Sequence, residues 1–142
     1  MNLKELLQKR FIEKTNQDIE SAKELIKGAE KDLVAASDIL NAKHPDWAFV
    51  AAYNAMLSAG RALMAAKGYR AYSESHHIAV VEFCAAVMPA QSSQLIYAFN
   101  RYRIRRHDVV YGESKSLSDG EAKTSIERAR EFIDKIKELC KF

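Results

Sequence analysis

The sequence of 142 residues has few of the residues that break helices or crosslink chains: two prolines, five glycines and two cysteines. A shortage of proline and glycine argues against a disordered chain and against an all-β fold with many turns. Cys84 and Cys140 are far from any paired-cysteine motif, so we expect reduced thiols that are buried or half-buried in helices. These shortages favour a helical globular protein.

Long hydrophobic runs are also missing. The first ten residues alternate leucine with charge and lack the apolar core of a secretion signal. The longest stretch of low charge, residues 47–60, is too short to span a bilayer. We therefore expect a cytoplasmic protein with no membrane partner.

The motifs of several common enzyme classes are absent from the sequence. It contains neither of the glycine patterns that bind nucleotide phosphates, G-x-x-x-x-G-K-[ST] and G-x-G-x-x-G. The serine hydrolase pattern G-x-S-x-G is missing as well. Nothing in the sequence indicates a P-loop nucleotidase or an acyl transferase.

Helical periodicity dominates what is present, and no segment reads as a strand. The pattern predicts an all-α, up-and-down bundle of about five helices. Their predicted positions are 18–42, 46–67, 75–88, 92–111 and about 119–140. A further helix is predicted at 3–14, and a polar loop at 113–118. Residues 1–142 are expected to form one domain, and whether helix 3–14 belongs to the bundle or is appended to it stays open.

The helix predicted at 46–67 has small or apolar residues on nearly every side, which is typical of a central helix. The aromatic residues Trp47, Tyr53 and Phe99 are expected to lie in the core. For the last helix, Ser118 and Glu121 form the S-x-x-E pattern of a capping box.

The stretch 97–112 stands out because it contains four arginines, one histidine and three tyrosines. On a helical wheel at 100° per residue, one face combines apolar side chains with five polar or aromatic ones. These five are Asn100, Arg103, Arg106, His107 and Tyr111. The side chains of Arg101 and Arg105 point to the opposite face.

Charged side chains within an apolar stripe need partners, because a buried unpaired charge is costly. In a functional interpretation, the arginines bind phosphate, the histidine transfers protons in phosphodiester cleavage, and tyrosine binds a base or a phosphate. In a structural interpretation, Arg103 and Arg106 form salt bridges with carboxylates such as Glu82, Asp108 or Glu121. The residues alone leave both interpretations open.

His76 and His77 are the other histidines close to each other in the sequence. Adjacent residues face different directions on a helix, and no carboxylate lies beside them at a convincing ligand spacing. We therefore expect no metal and no cofactor. One of the two histidines is expected to pack against or cap the start of its helix, and the other to be solvated.

Three blocks carry a family resemblance. The first is the alanine-rich helix with Tyr53, Arg61-Ala-Leu63 and Gly68, and the second is Ser75-His76 followed by Val81-Glu-Phe83. The third is Arg103-x-x-Arg106-His107-x-x-x-Tyr111-Gly112. Over about residues 18–140 the chain resembles the HEPN domain (higher eukaryotes and prokaryotes nucleotide-binding domain).

This resemblance implies an all-α up-and-down bundle, often dimeric through the arginine-bearing helix. Many HEPN proteins are metal-independent RNases, toxins paired with a minimal nucleotidyltransferase, or RNA-handling modules. Their active motif is an arginine followed four to six residues later by a histidine, and Arg101 has five residues between it and His107. In an ideal helix, however, Arg101 faces about 120° away from His107, whereas Arg103 faces it. The third block is nearer to a branch with an often degenerate nuclease motif.

The candidate catalytic residues are accordingly Arg103, His107 and Arg101. The candidate residues for binding RNA or phosphate are Asn100, Arg106 and Tyr111. The expected function is binding or cleavage of RNA, in the manner of a toxin-type ribonuclease that needs no metal. We expect a homodimer joined through helix 92–111. The alternative is a non-catalytic interaction module that binds nucleotides or a nucleotidyltransferase partner.

Overall fold

The protein, described here from a computed structural model, is a bundle of helices packed around one central helix. The structure describes residues 1–112 and 117–142, so the first four residues of the predicted loop at 113–118 lie outside the described residues. The elements are α1 (Leu3–Gln8), β1 (Ile12–Lys14), α2 (Ile19–Asn41), α3 (Pro45–Lys67), β2 (Tyr69–Ala71), α4 (His77–Val87), α5 (Ser93–Val110) and α6 (Asp119–Cys140). A 3-10 turn at Ala90–Ser92 leads into α5. The all-α fold class is confirmed, with six α-helices in the described part of the chain where about five were predicted.

The central position of α3 follows from its sequence. Small or apolar side chains surround the helix, and it contacts α2, α4, α5 and α6. Pro45 occupies the first turn, and Gly68 ends the helix in the left-handed conformation with φ of 84°. Gly60 allows α4 to approach closely, because a Cβ atom at this position would lie 2.6 Å from Cγ1 of Val80. The prediction of a central helix at 46–67 is confirmed.

Two amphipathic helices, α2 and α6, pack against α3. The buried residues of α2 recur at intervals of three and four, which places them on one face. They are Ala22, Ile26, Ala29, Leu33 and Ala36. At the start of α6, the backbone N–H of Glu121 donates to Oγ of Ser118 over 3.1 Å, which confirms the predicted capping box.

The N-terminal segment corrects the prediction of a single helix at 3–14 and of a chain without strands. α1 ends early, Arg10 adopts a positive φ of 59°, and β1 then pairs antiparallel with β2. Side chains in β1 alternate as in a strand: Ile12 is 1% exposed, whereas Glu13 pairs with Arg70 on β2. This partner lies 57 residues away in the sequence, so local periodicity could not reveal the pairing.

The predicted core is confirmed in part. Tyr53 and Phe99 are fully buried, Cys84 is buried and Cys140 is half-buried. Trp47 is 58% exposed, so its assignment to the core was wrong. This tryptophan lies in the first turn of α3 and projects towards solvent at the end of the bundle, where apolar character does not ensure burial.

Candidate functional site

An open cleft of about 540 Å³ lies between α5 and the beginning of α4. We call it the α5 cleft. One wall carries Arg103, Arg106, His107 and Tyr111 from the second half of α5. The opposite wall carries Ser75 and His76 from the end of the α3–α4 connection and His77 from the start of α4. Four of the six residues that the sequence nominated therefore line one cleft.

The two cleft arginines have few partners. Nε of Arg103 donates to Oδ1 of Asn100 over 3.1 Å, so Asn100 orients this guanidinium. The guanidinium of Arg106 lies 6.0 Å from the centre of the Tyr53 ring, and its Nε is buried with no hydrogen-bond partner in the described residues. An unbonded buried N–H is unusual in a folded protein, so the described residues leave Arg106 incompletely hydrogen-bonded.

The carboxylates proposed as partners of these arginines are engaged elsewhere or stand apart. In residues 1–112 and 117–142, no carboxylate lies within 4.0 Å of the charged nitrogens of Arg103 or Arg106. Glu121 pairs with Arg105 at 3.7 Å, and Glu82 pairs with the N-terminal ammonium at 3.8 Å. Asp108 lines the cleft without forming an ion pair in the described residues. The described residues therefore do not contain the ion pairs that the structural interpretation requires.

His107 and Tyr111 form the outer part of the α5 cleft. Both side chains are exposed, and their ring centres lie 4.7 Å apart, one helical turn from each other. An exposed imidazole can exchange protons with a substrate, and an exposed tyrosine ring can stack on a base.

Arg101 lies outside the α5 cleft. Its side chain is exposed, and its guanidinium lies 5.9 Å from the Tyr97 ring. Together with Arg105, it lines a separate groove that faces the beginning of α6. The structure therefore separates Arg101 from His107, as the helical wheel predicted, although the spacing of this pair in the sequence matches the family motif.

Sequence reasoning missed the inner part of the cleft. The hydroxyl of Tyr53, on α3, lies 3.0 Å from Nδ1 of His77 at the start of α4. His76, beside it, packs edge-on against Phe11 of the N-terminal segment, with ring centres 4.7 Å apart. Both histidines are half-buried, so the expectation that one would be solvated was wrong. Tyr53 and His76 were among the residues that carried the family resemblance, but no pattern in the sequence placed Tyr53 beside His77.

Burial and positive charge shift the pKa values of this inner pair. Burial raises the pKa of Tyr53 to about 12, against the opposing effect of Arg106, Arg103 and Arg61. Burial, followed by the charges of the same three arginines, lowers the pKa of His77. Arg61 is held nearby because its guanidinium donates to the carbonyl of Glu74 over 2.8 Å. At neutral pH the tyrosine therefore keeps its proton and the imidazole is uncharged.

The described residues contain no group of three or more histidine, cysteine, aspartate or glutamate side chains that could hold a metal ion. The α5 cleft offers arginines and histidines instead, a donor set suited to an anion. The expected independence from metals and cofactors stays a prediction.

The protein is thus a helical bundle with a cationic cleft beside its fifth helix, α5. The family model described as HEPN domain matches residues 22–139, most of the sequence, and the chain belongs to this family. HEPN domains are generally linked to RNase activity and nucleotide binding, and they often dimerise. Comparison with curated proteins gives no match. Within residues 1–112 and 117–142, no helix has the length and apolar character needed to cross a bilayer.

Proposed function

We propose that this protein binds RNA in the α5 cleft and cleaves it without a metal ion. One observation carries the proposal: Arg103 and Arg106 line an open cleft, and no carboxylate in the described residues pairs with either of them. One guanidinium group can donate two parallel hydrogen bonds to two phosphate oxygens. Two arginines about one helical turn apart therefore suit a phosphodiester.

The proposed reaction is attack by a 2′-hydroxyl on the adjacent phosphorus. The new bond joins O2′ to phosphorus while the bond from phosphorus to O5′ breaks, which leaves a 2′,3′-cyclic phosphate and a 5′-hydroxyl. In one form of the reaction His107 removes the proton from O2′ and water protonates the leaving O5′. In the other, water accepts the O2′ proton and His107 protonates O5′. In both forms the exposed imidazole returns to its starting state by proton exchange with the solvent. Arg103 and Arg106 stabilise the charge that accumulates on the phosphoryl oxygens.

Two neighbours complete the proposed site. Asn100 keeps Arg103 in place through the bond to its Nε, so the guanidinium needs little reorganisation when a phosphate arrives. Tyr111 lies at the cleft rim beside His107, where its exposed ring can stack on an unpaired base. Recognition of an unpaired base favours single-stranded RNA over a duplex.

We further propose that α5 joins two copies of the chain. Tyr97 and Ile104 are 66% and 51% exposed, and they lie seven residues apart along this helix. Such spacing places them on one side of α5, as on the contact face of paired helices. Because Ile104 also lines the cleft, this arrangement would bring two α5 clefts next to each other.

The test is cleavage of a single-stranded RNA oligonucleotide in the presence of EDTA. We expect His107→Ala and Arg103→Ala each to lower the rate about 100-fold or more, the usual effect of removing a proton-transfer group or a charge-stabilising donor. Arg101→Ala should lower it less, because Arg101 lies outside the cleft. Arg130→Ala on α6 is the control, since this exposed arginine shares its groove with three acidic residues.

Cleavage that neither His107→Ala nor Arg103→Ala reduces would reject the site. Binding of RNA without cleavage by the wild-type protein would instead support the alternative function, a non-catalytic module for nucleotides or for a nucleotidyltransferase partner. A toxin role rests on the family link alone. It predicts growth arrest on expression in a cell, relieved by His107→Ala.

A further inference from the structure

The contact between Tyr53 and His77 lies at the inner end of the α5 cleft and has no role in the reaction outlined above. Tyr53 is 0% exposed, and its ring is fixed by Phe99, with ring centres 5.9 Å apart. Its hydroxyl lies 3.0 Å from Nδ1 of His77. The pair spans α3 and α4, so neither helix positions it alone.

Burial determines the direction of this hydrogen bond. The raised pKa of Tyr53, about 12, means that its hydroxyl keeps the proton at any physiological pH. In the described residues the hydroxyl is hydrogen-bonded to Nδ1 of His77. A buried O–H without an acceptor is costly. The tyrosine therefore donates, and Nδ1 accepts.

An accepting Nδ1 places the single proton of a neutral imidazole on Nε2. Burial keeps His77 neutral, and Arg61 on α3 and Arg106 and Arg103 on α5 also oppose a positive charge there. The other titratable groups that touch His77 or line the same cleft are Tyr53 on α3, His76 on the adjoining turn, and His107, Asp108 and Tyr111 on the second half of α5 and its end. His77 therefore presents an N–H donor to the cleft and is unsuited to act as a base through Nε2.

We propose that His77 is a neutral hydrogen-bond donor to a phosphate oxygen of bound RNA, with its Nε2–H tautomer fixed by Tyr53. The ligand in this proposal is taken from the proposed function. Tyr53 acts through His77 and is a positioning residue. The pair adds an uncharged N–H donor, Nε2 of His77, to the inner end of the arginine site. Because Tyr53 fixes the direction of this N–H, it favours a phosphate oxygen at one position over an anion elsewhere in the cleft.

The first experiment reads the tautomer directly from the ¹⁵N and ¹H shifts of the histidine rings by NMR. In the wild-type protein His77 should be the Nε2–H form, and in Tyr53→Phe it should become a mixture of tautomers. Tyr69→Phe is the matched control, because the Tyr69 ring packs against Phe83, away from the cleft. A wild-type His77 that carries its proton on Nδ1 would overturn the proposal.

The second experiment titrates the protein with inorganic phosphate and, separately, with an RNA oligonucleotide whose 2′-hydroxyls are methylated to prevent cleavage. Each ligand should shift the Nε2–H resonance of His77. His77→Ala should weaken binding of the RNA about tenfold, as expected for a lost hydrogen bond to a charged group. His77→Gln, which retains an N–H donor near the Nε2 position, should restore most of the affinity. His44→Gln on the surface is the control.

The outcomes separate the two proposals. RNA that binds tightly without shifting the His77 resonance, and equally well to His77→Ala, would overturn the role of His77 and leave the RNA site intact. A shift with inorganic phosphate in a protein that does not bind RNA would support the phosphate donor and reject the proposed function.

Discussion

Arg106 determines the chemistry of the α5 cleft at the scale of single residues. Its guanidinium lies over the face of Tyr53, a favourable position for a cation, while its buried Nε has no acceptor in the described residues. Burial lowers the pKa of His77, and the charges of Arg61, Arg106 and Arg103 lower it further. Phosphate binding by the two cleft arginines is therefore coupled to the protonation state of His77.

This coupling predicts how stability depends on pH. The pKa of His77 in the folded protein lies below its ordinary value of 6.5. The unfolded chain therefore binds a proton more readily, and stability is lost as pH falls from about 6.5 through the lowered pKa. We expect the melting temperature of His77→Gln, measured by calorimetry, to fall less than that of the wild type between neutral and acidic pH. Parallel losses in the two proteins would contradict this prediction.

Among the helices, the close approach of α3 and α4 fixes the inner end of the cleft. Gly60 permits this approach, since a Cβ atom there would overlap Val80 at 2.6 Å and approach Sγ of Cys84 to 3.3 Å. His77 begins the same helix that carries Val80, so a shift of α4 would also move the His77 ring relative to Tyr53.

We predict that Gly60→Ala lowers the free energy of unfolding by about 1–3 kcal/mol, the usual range for overpacking a core. Gly28→Ala is the matched control, because no other part of the described chain comes within 4 Å of a Cβ atom at this position in α2. Alanine is the better helix former, so this control should stabilise the protein by about 0.5–1 kcal/mol. Denaturant unfolding measures the change in the free energy of unfolding for each variant. Equal changes in Gly60→Ala and Gly28→Ala would contradict the packing argument.

Elements with strong local signals were predictable from the sequence. Heptad-like spacing, the proline at the start of α3 and the capping box of α6 each depend on residues within one or two turns, and the corresponding helices are present. The pairing of β1 with β2 and the bond from Tyr53 to His77 join residues distant in the sequence. Such contacts depend on how helices pack, which periodicity does not encode.

The candidate site was likewise predictable within one helix but not between helices. The helical wheel correctly grouped Arg103, Arg106 and His107 and set Arg101 apart, because all four lie on one helix. It could not show whether carboxylates from other helices reach these arginines, nor that His77 faces them across a cleft.

For the whole molecule, the exposed side chains of Tyr97 and Ile104, seven residues apart on α5, predict a homodimer through this helix. Ile104→Glu should convert the protein to a monomer in sedimentation experiments, because a charge in each copy would be buried at the contact. Val34→Glu, at a more exposed apolar residue on α2, should leave the dimer intact. A wild-type protein that sediments as a monomer at every concentration tested would contradict the arrangement.

Charge is distributed unevenly over the molecule, whose net charge is only +3. The α5 cleft holds two arginines without carboxylate partners in the described residues, whereas the groove between α2 and α6 carries Glu30, Asp38 and Asp134 beside Arg130. A polyanion should therefore bind to the cleft and avoid that groove. The cytoplasmic location stays a prediction.

The most direct test of the central claim is the affinity of single-stranded RNA for the wild type, Arg106→Gln and Arg130→Gln. Glutamine keeps part of the side chain while removing the charge, so the bundle should stay folded. If RNA binds in the α5 cleft, Arg106→Gln should weaken binding about tenfold and reduce its salt dependence, whereas Arg130→Gln should change neither. Equal affinity of the wild type and Arg106→Gln would contradict the claim that this cleft binds RNA.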